Sequence, residues 1–415
     1  MSRPRVNGDR LWQSLMEMAQ IGATAKGGVC RLALSKEDLQ ARELLSNWCE
    51  ALGMEERFDA MGNQFARYAG KNPNARPILL GSHLDSQPTG GKYDGVLGVL
   101  AGLEVIRTLA EEDLRLDHPI ELVNWTNEEG ARFAPAMIGS GVFAGAFELE
   151  AAHQIQDQEG ISIKEALEGI GHLGPEGNRS SYHASLELHI EQGPVLEERE
   201  KSVGIVTGVQ GMRWYECKVK GKSAHAGTTP MEMRNDPVQN AMALIQKLYQ
   251  LVKKDPKAKI TIGMLRAEPG SINTVPNEVI FNIDFRHPEE EGLVNLNRDL
   301  KNLVEVEIDA EISLIEIWFS PPVDFYPDCV EAVEKACKTL NIDAWPMTSG
   351  AGHDSVYLSK VMPAGMIFIP CKDGLNHNEA ESVEKAHAID GANVLLHAVL
   401  ELDRQPNLNH ETKEK

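Results

Sequence analysis

Basic residues are scarce in this sequence relative to acidic ones. Its 41 Lys and Arg face 62 Asp and Glu, for a formal net charge of −21. Such a balance works against a nucleic-acid backbone or an anionic membrane as partner. Long apolar runs are also missing. No stretch reaches the roughly 18 apolar residues that a bilayer span requires. The first residues, Met1-Ser2-Arg3-Pro4-Arg5, lead into a polar segment rather than an apolar signal core. Cysteine is thin: Cys30, Cys49, Cys217, Cys329, Cys337 and Cys371 include no C-x-x-C pair. They read as scattered reduced thiols, and the expectation is a cytoplasmic protein. There is no internal repeat and no low-complexity linker.

What remains is a globular composition over 415 residues, long enough for two domains. The first half alternates strand and helix. Ile78-Leu79-Leu80 is a short strand running into Gly81-Ser82-His83. Gly95 to Leu109 is apolar on most faces and reads as a buried helix, and Ile120 to Trp125 is a second strand ending at Asn127-Glu128-Glu129. This order argues for an α/β domain with its site at the carboxyl ends of the strands.

The middle reads differently. Trp214 to Lys220 is strand-like; Asp236-Pro237 opens a helix with Val238, Ala241, Met242, Ile245 and Leu248 on one face. Lys259 to Leu265 is a strand, and Val279, Phe281, Ile283 and Phe285 alternate in another. A stripe of Leu293, Leu296, Leu300 and Leu303 makes a helix, and Glu311 to Phe319 closes with a strand. The order β-α-β-β-α-β is that of a ferredoxin-like unit. The last part returns to the α/β style, with helices over Asp328–Leu340 and Ala386–Leu402 around an apolar strand, Met366–Ile369. The expectation is therefore a discontinuous domain, 1–210 with 326–415, carrying an inserted domain over 211–325.

Five segments carry chemistry. In His83-Leu84-Asp85, an extended backbone would set Asp85 beside His83 to orient its ring. Asp94 opens the buried helix and has two oxygens to offer two cations. Glu128-Glu129 pairs acids that point apart, so one can bind metal while the other handles a proton. In Leu186 to Gly193, Glu187, His189 and Glu191 share a face; His377-Asn378-Glu379 follows the last strand. Imidazole and carboxylate suit zinc-like ions. Taken singly, a histidine at a strand end is more often a structural residue and Glu128-Glu129 more often a solvated turn, and spacing does not bring His189 and His377 to His83.

The joint pattern is similar to the hydantoinase/carbamoylase family of M20-type metallohydrolases. The matching stretches are Gly81 to Pro88, Gly90 to Gly95, Asn127 to Phe133, Leu188 to Pro194, Ala224 to Met231, Ser349 to Asp354 and His377 to Glu379. The resemblance implies an M20-like two-metal catalytic α/β domain with the inserted ferredoxin-like domain as lid. It makes His83, Asp94, Glu129, His189 and His377 the ligands of two divalent ions (Zn, Mn, Co or Ni), with Asp94 bridging. It makes Glu128 the general base, and it implies a homodimer through the lid with His225 reaching the partner's active site. Arg286 would take a substrate carboxylate, helped by Gln192 and Asn273, with Gly352 and His353 lining the pocket.

The implied reaction is hydrolysis of a carbamoyl or ureido C–N bond. Trp214 stands in Arg213-Trp214-Tyr215 where allantoate-cleaving relatives tend to carry an arginine. An aromatic ring there favours an N-carbamoyl-L-amino acid over allantoate, although Arg213 stays open as a substitute. A β-ureidopropionase, a dipeptidase or N-acyl amino acid deacylase of the same fold, and a non-catalytic binding protein are the competing readings. His118, His153, His172, His183, His287, His387, His397 and His410 are taken as core or surface residues.

Overall fold

The computed structural model describes residues 3–176, 181–307, 310–405 and 408. Its contacts divide the chain into two compact units, residues up to Thr207 with those from Asp324 onward, and Gly208–Val323. The main strands in chain order are β1 (Glu55–Phe58), β2 (Gln64–Tyr68), β3 (Ile78–His83), β4 (Ile120–Trp125), β5 (Ala184–Ile190), β6 (Val203–Val209), β7 (Gly211–Lys220), β8 (Ala224–His225), β9 (Lys259–Thr261), β10 (Leu265–Glu268), β11 (Thr274–Val275), β12 (Glu278–His287), β13 (Ile312–Ser320), β14 (Ala344–Ser349) and β15 (Ala364–Ile369).

The first unit is built on one mixed sheet, ordered β1-β2-β4-β3-β5-β15-β6, with β14 also pairing β6. At its centre β4, β3, β5 and β15 run parallel. These strands are buried along their whole length, as parallel strands covered on both faces must be. Leu80, Leu122, Leu186, Leu188 and Ile367 share one core with the helix Val96–Glu111, whose apolar faces disappear into it. The long helix Lys385–Asp403 adds Ala388, Ala392, Leu395, Leu396 and Val399. Because the central strands are parallel, their carboxyl ends line one edge, where the chain leaves the sheet in loops. Every cysteine is a free thiol, and among the described residues no helix is long and apolar enough to cross a membrane.

The second unit is an antiparallel sheet, β10-β12-β7-β13 with β9 also on β12, and two helices, Pro237–Val252 and Glu290–Asn302. Tyr215, Cys217 and Val219 alternate on β7, and Val279, Phe281, Ile283 and Phe285 on β12; they meet Leu244, Leu248, Leu293, Leu296 and Leu300 from the helices. Two details differ from the sequence expectation. The inward stripe of Pro237–Val252 is Ala241, Leu244, Leu248 and Val252, while Met242 is 63% exposed. Met242 follows Ala241 by one residue, about 100° around a helix, and so leaves the buried face. The strand expected over Lys259–Leu265 is broken into β9 and β10, with Met264 N–H donating to the Asn282 side chain at 2.7 Å across the break.

His183 lies buried just before β5, stacked on His118 at 4.0 Å. Its Nε2 donates to the Leu402 carbonyl at 3.1 Å, and its Nδ1 has no partner among the described residues. A second proton would therefore sit buried without an acceptor. Burial first, then His118, push this imidazole down to about 4, with Arg76 adding to the effect and Asp403 opposing it. The unfolded chain takes up a proton near 6.5, so it binds more protons than the folded one between about 6.5 and 4. The fold should lose stability as pH falls through that window. Urea midpoints at pH 7 and pH 5 should drop further for the parent than for His183→Gln; equal drops would remove His183 as the cause.

Candidate metal centre

Strand register brings the first two histidines together. β3 and β5 are parallel with Leu80 opposite Leu186, and the same register continued to the strand ends sets His83 beside His189. Their ring centroids are 6.0 Å apart. Both rings use Nδ1 locally, His83 donating to the Asp85 carbonyl at 3.0 Å and His189 to the Ile190 carbonyl at 2.9 Å. A neutral imidazole that donates through one nitrogen offers only a lone pair at the other. Both Nε2 atoms therefore face the site as acceptors.

What they face are also acceptors. Asp94 Oδ1 lies 3.2 Å from His189 Nε2 and 3.8 Å from His83 Nε2, and its Oδ2 lies 3.6 Å from His377 Nε2. Glu129 Oε2 is 3.1 Å from His377 Nε2. Two candidate ion-holding groups result, His83-Asp94-His189 and Asp94-Glu129-His377, and they share Asp94. His189 Nε2 is buried with no hydrogen-bond partner. Lone pairs converging in a buried place need a cation between them, and this donor set of imidazole nitrogen and carboxylate oxygen fits a divalent metal. A proton competes for the same position. Burial disfavours the charged His189 ring, but the Asp94 carboxylate outweighs it and lifts the group to about 9. Glu129 likewise raises His377.

The surrounding backbone is shaped to hold these groups. Asn127, Gln192 and His377 all sit in the left-handed region, at φ of 57°, 58° and 50°. Non-glycine residues there carry local strain, which collects at functional sites. Gly95, at φ 69°, instead makes room, since a Cβ on it would fall 2.4 Å from His83 Nε2. The helix Val96–Glu111 can start under the imidazole only because this side chain is missing.

Asp85 does not hold His83 through its carboxylate, which stays 3.8 Å from Nδ1. β3 ends at His83, so strand alternation no longer governs Asp85. Its carbonyl takes the ring, and its carboxylate accepts the backbone N–H groups of Glu128 and Glu129, each at 3.2 Å. Glu128 is buried, with Oε2 3.5 Å from His83 Nε2. Burial, then the carboxylates of Asp354, Glu129, Asp85 and Asp94, push it well above the usual carboxylate range. Gln192 donates to Asp94 Oδ2 at 2.9 Å. His353 packs edge-on against His189 at 4.5 Å and is bonded to Ser349 at 3.1 Å, while the Asp354 carboxylate accepts the Ser140 hydroxyl. Gly352 is half-buried, and a Cβ there would meet the Met137 side chain at 3.0 Å.

The other expected residues belong to the second unit. His225, on β8, pairs with Thr274 of β11, next to Asn273. Its Nδ1 accepts the N–H groups of Gly227 at 3.0 Å and Thr228 at 3.2 Å, so the ring hydrogen is on Nε2. Two backbone amides hold this ring. On the sheet, Trp214 stands directly opposite Asp284, and Asp284 grips Arg286 at 2.9 Å. Residues paired across a ladder share a face, as do residues two apart, so Trp214, Asp284 and Arg286 line one face. Arg213 points the other way, against Glu316 at 3.0 Å and over Phe319.

The profile of peptidase family M20/M25/M40 matches residues 79–401. An N-carbamoyl-L-amino-acid amidohydrolase of Rhizobium meliloti is 45% identical over 405 residues, 96% of this chain and 97% of that one. A crystal structure of a hydantoinase/carbamoylase family amidase from Burkholderia multivorans has a TM-score of 0.92 at 46% identity, covering 97% of this chain and 99% of the other. This chain belongs to the hydantoinase/carbamoylase branch of the M20 family. An allantoate amidohydrolase of Bacillus subtilis is also similar, 34% identical over 372 residues, 88% of this chain and 90% of that one.

Two acids at the site have no role that the sequence alone reveals. Glu187 receives the hydroxyls of Ser82 at 2.7 Å and Ser355 at 2.6 Å, and forms a third candidate ligand group with His189 and His353. Its signal is its position two residues before His189 on the same strand face. Glu381 accepts the backbone N–H groups of Tyr93 and Asp94; no local pattern announces that contact. A direct check of the packing uses two glycines. Gly95→Ala and Gly27→Ala both place a side chain at positive φ, but Gly27 has nothing within 4 Å. Both should lose about 1–3 kcal/mol from backbone strain, the cost of a sparsely populated φ/ψ region. Gly95→Ala should lose clearly more in urea unfolding, by its clash with His83; equal losses would show that His83 yields freely.

Proposed function

We propose that this chain is a two-metal hydrolase of N-carbamoyl-L-amino acids, releasing the L-amino acid, carbon dioxide and ammonia. The observation that carries the reading is Asp94, with one oxygen toward His83 and His189 and the other toward His377 beside Glu129. His83, Asp94 and His189 would hold one divalent ion, and Asp94, Glu129 and His377 the second. When bound, such ions lower the pKa of water and polarise the scissile carbonyl. A ureido carbonyl needs that help, because two nitrogens donate into it.

The chain's own residues supply the proton traffic and the positioning. Glu128 accepts the proton of the attacking water and passes it to the leaving nitrogen as the C–N bond breaks. Its buried, carboxylate-rich surroundings support this role, since they favour holding a proton. Asp85 keeps Glu128 and Glu129 in place by its two backbone hydrogen bonds. Arg286 takes the substrate carboxylate, with Asn273 and Gln192 as polar helpers and Gly352 and His353 on the pocket wall. His225 offers Nε2–H to the developing oxyanion, a donor worth about 3–4 kcal/mol of barrier. It acts in the partner's site within a homodimer formed through the second unit. Met242 and Tyr249, 63% and 42% exposed on the outer side of Pro237–Val252, support such an apolar contact.

The substrate choice rests on the face shared by Trp214 and Arg286. A ring beside a guanidinium suits an amino acid with an apolar side chain. Arg213, turned to Glu316, leaves that face without a second guanidinium to donate hydrogen bonds to the carbonyl of a second ureido arm. Similarity to the allantoate amidohydrolase keeps allantoate as the second reading. Ammonia release by metal-loaded protein from N-carbamoyl-L-methionine, N-carbamoyl-β-alanine and allantoate decides between them. The carbamoyl amino acid should be fastest, and EDTA should abolish the rate. Preference for allantoate would overturn the substrate reading, and activity on none of the three would favour a peptidase or deacylase.

Glu128→Gln should retain metal and lose at least 100-fold in kcat; loss of metal and activity together would make Glu128 a ligand. Arg286→Ala should raise KM for carboxylate substrates about tenfold or more, with kcat changed far less. An unchanged KM would take Arg286 out of the binding site.

A further inference from the structure

We infer that Glu381 is a positioning residue that sets the bridging carboxylate of Asp94 by holding the backbone beneath it. The inference rests on the reading of Asp94 as a shared metal ligand. Glu381 is buried, at 5% exposure, in the same segment that presents His377. Its Oε1 accepts the backbone N–H of Tyr93 at 2.8 Å and that of Asp94 at 3.2 Å. These amides lie in the turn between Gly91 and the helix Val96–Glu111, and that turn decides where the Asp94 side chain emerges. One buried carboxyl oxygen accepting two successive amides satisfies both N–H groups of the turn and fixes them together.

Two further observations tie Glu381 to this turn. A Cβ on Gly91 would fall 1.9 Å from the Glu381 carboxyl carbon, so the chain closes over the carboxylate only because position 91 is glycine. The Glu381 N–H in turn donates to the Asn378 carbonyl at 3.0 Å, folding the segment back on His377. One short stretch thus delivers an imidazole to one side of the site and fixes the bridging ligand from below. A ligand misplaced by a fraction of an ångström loses metal, and outer partners of this kind are typically worth about 10–100-fold in metal affinity.

The test is calorimetric titration of metal-free protein with Zn²⁺ and with Mn²⁺, on the parent, Glu381→Ala, Glu381→Gln, Gly91→Ala and Asp94→Asn. Glu381→Ala should bind metal about 10–100-fold more weakly. Glu381→Gln should recover most of that loss, because an amide oxygen can accept the same two N–H groups. Gly91→Ala keeps the acid but displaces it, and should weaken binding as Glu381→Ala does; it serves also if Glu381→Ala fails to fold. Parent-like affinity in Gly91→Ala and Glu381→Ala overturns the positioning role. A parent that binds metal with affinity unaffected by Asp94→Asn would overturn the ligand reading itself, and the inference with it.

Discussion

Acceptor facing acceptor is the constraint from which the rest of this site follows. His83 and His189 spend their Nδ1 hydrogens on neighbouring carbonyls, and so turn bare lone pairs toward Asp94. Buried lone pairs repel one another unless a cation lies between them. The fold invests heavily in keeping them there. Parallel strands bring the two histidines level, Gly95 clears the space for one ring, and Asp85 and Glu381 pin the backbones that present Glu128, Glu129 and Asp94. The strained residues Gln192 and His377 belong to the same arrangement. A site that needed no cation would have no reason to turn acids and bare imidazole nitrogens toward one another around Asp94.

Much of the framework is legible in the sequence, and for physical reasons. Strands such as Ile78–His83 and Ile120–Trp125 read clearly because parallel central strands are apolar on both faces. Val279, Phe281, Ile283 and Phe285 read clearly because one face of an antiparallel strand is buried and the other is not. Where the pattern is thin, the sequence misleads. Met242 and Leu244 are both apolar, and helical geometry alone decides that Leu244 turns inward. The β9–β10 interruption depends on the Asn282 side chain across the sheet, a contact remote in sequence.

The site is legible in a different way. The residue types are visible, but their convergence is carried by resemblance and not by spacing, because His189 and His377 meet Asp94 through tertiary structure. Asp85 shows why local rules fail there. Alternation holds only while the chain is a strand, and beyond His83 the backbone turns, so carboxylate and carbonyl exchange the roles expected of them. Glu381 lies beyond local reasoning altogether, since its partners are two backbone amides nearly three hundred residues earlier. The second unit carries a ring and a guanidinium on one face of its sheet, and a histidine whose tautomer is held by amides.

Diffraction from crystals of the metal-loaded protein, collected on both sides of the metal's absorption edge, tests the central claim most directly. The account predicts two anomalous peaks flanking Asp94, one beside His83 and His189 and the other beside Glu129 and His377. A single peak, or peaks away from Asp94, would contradict it.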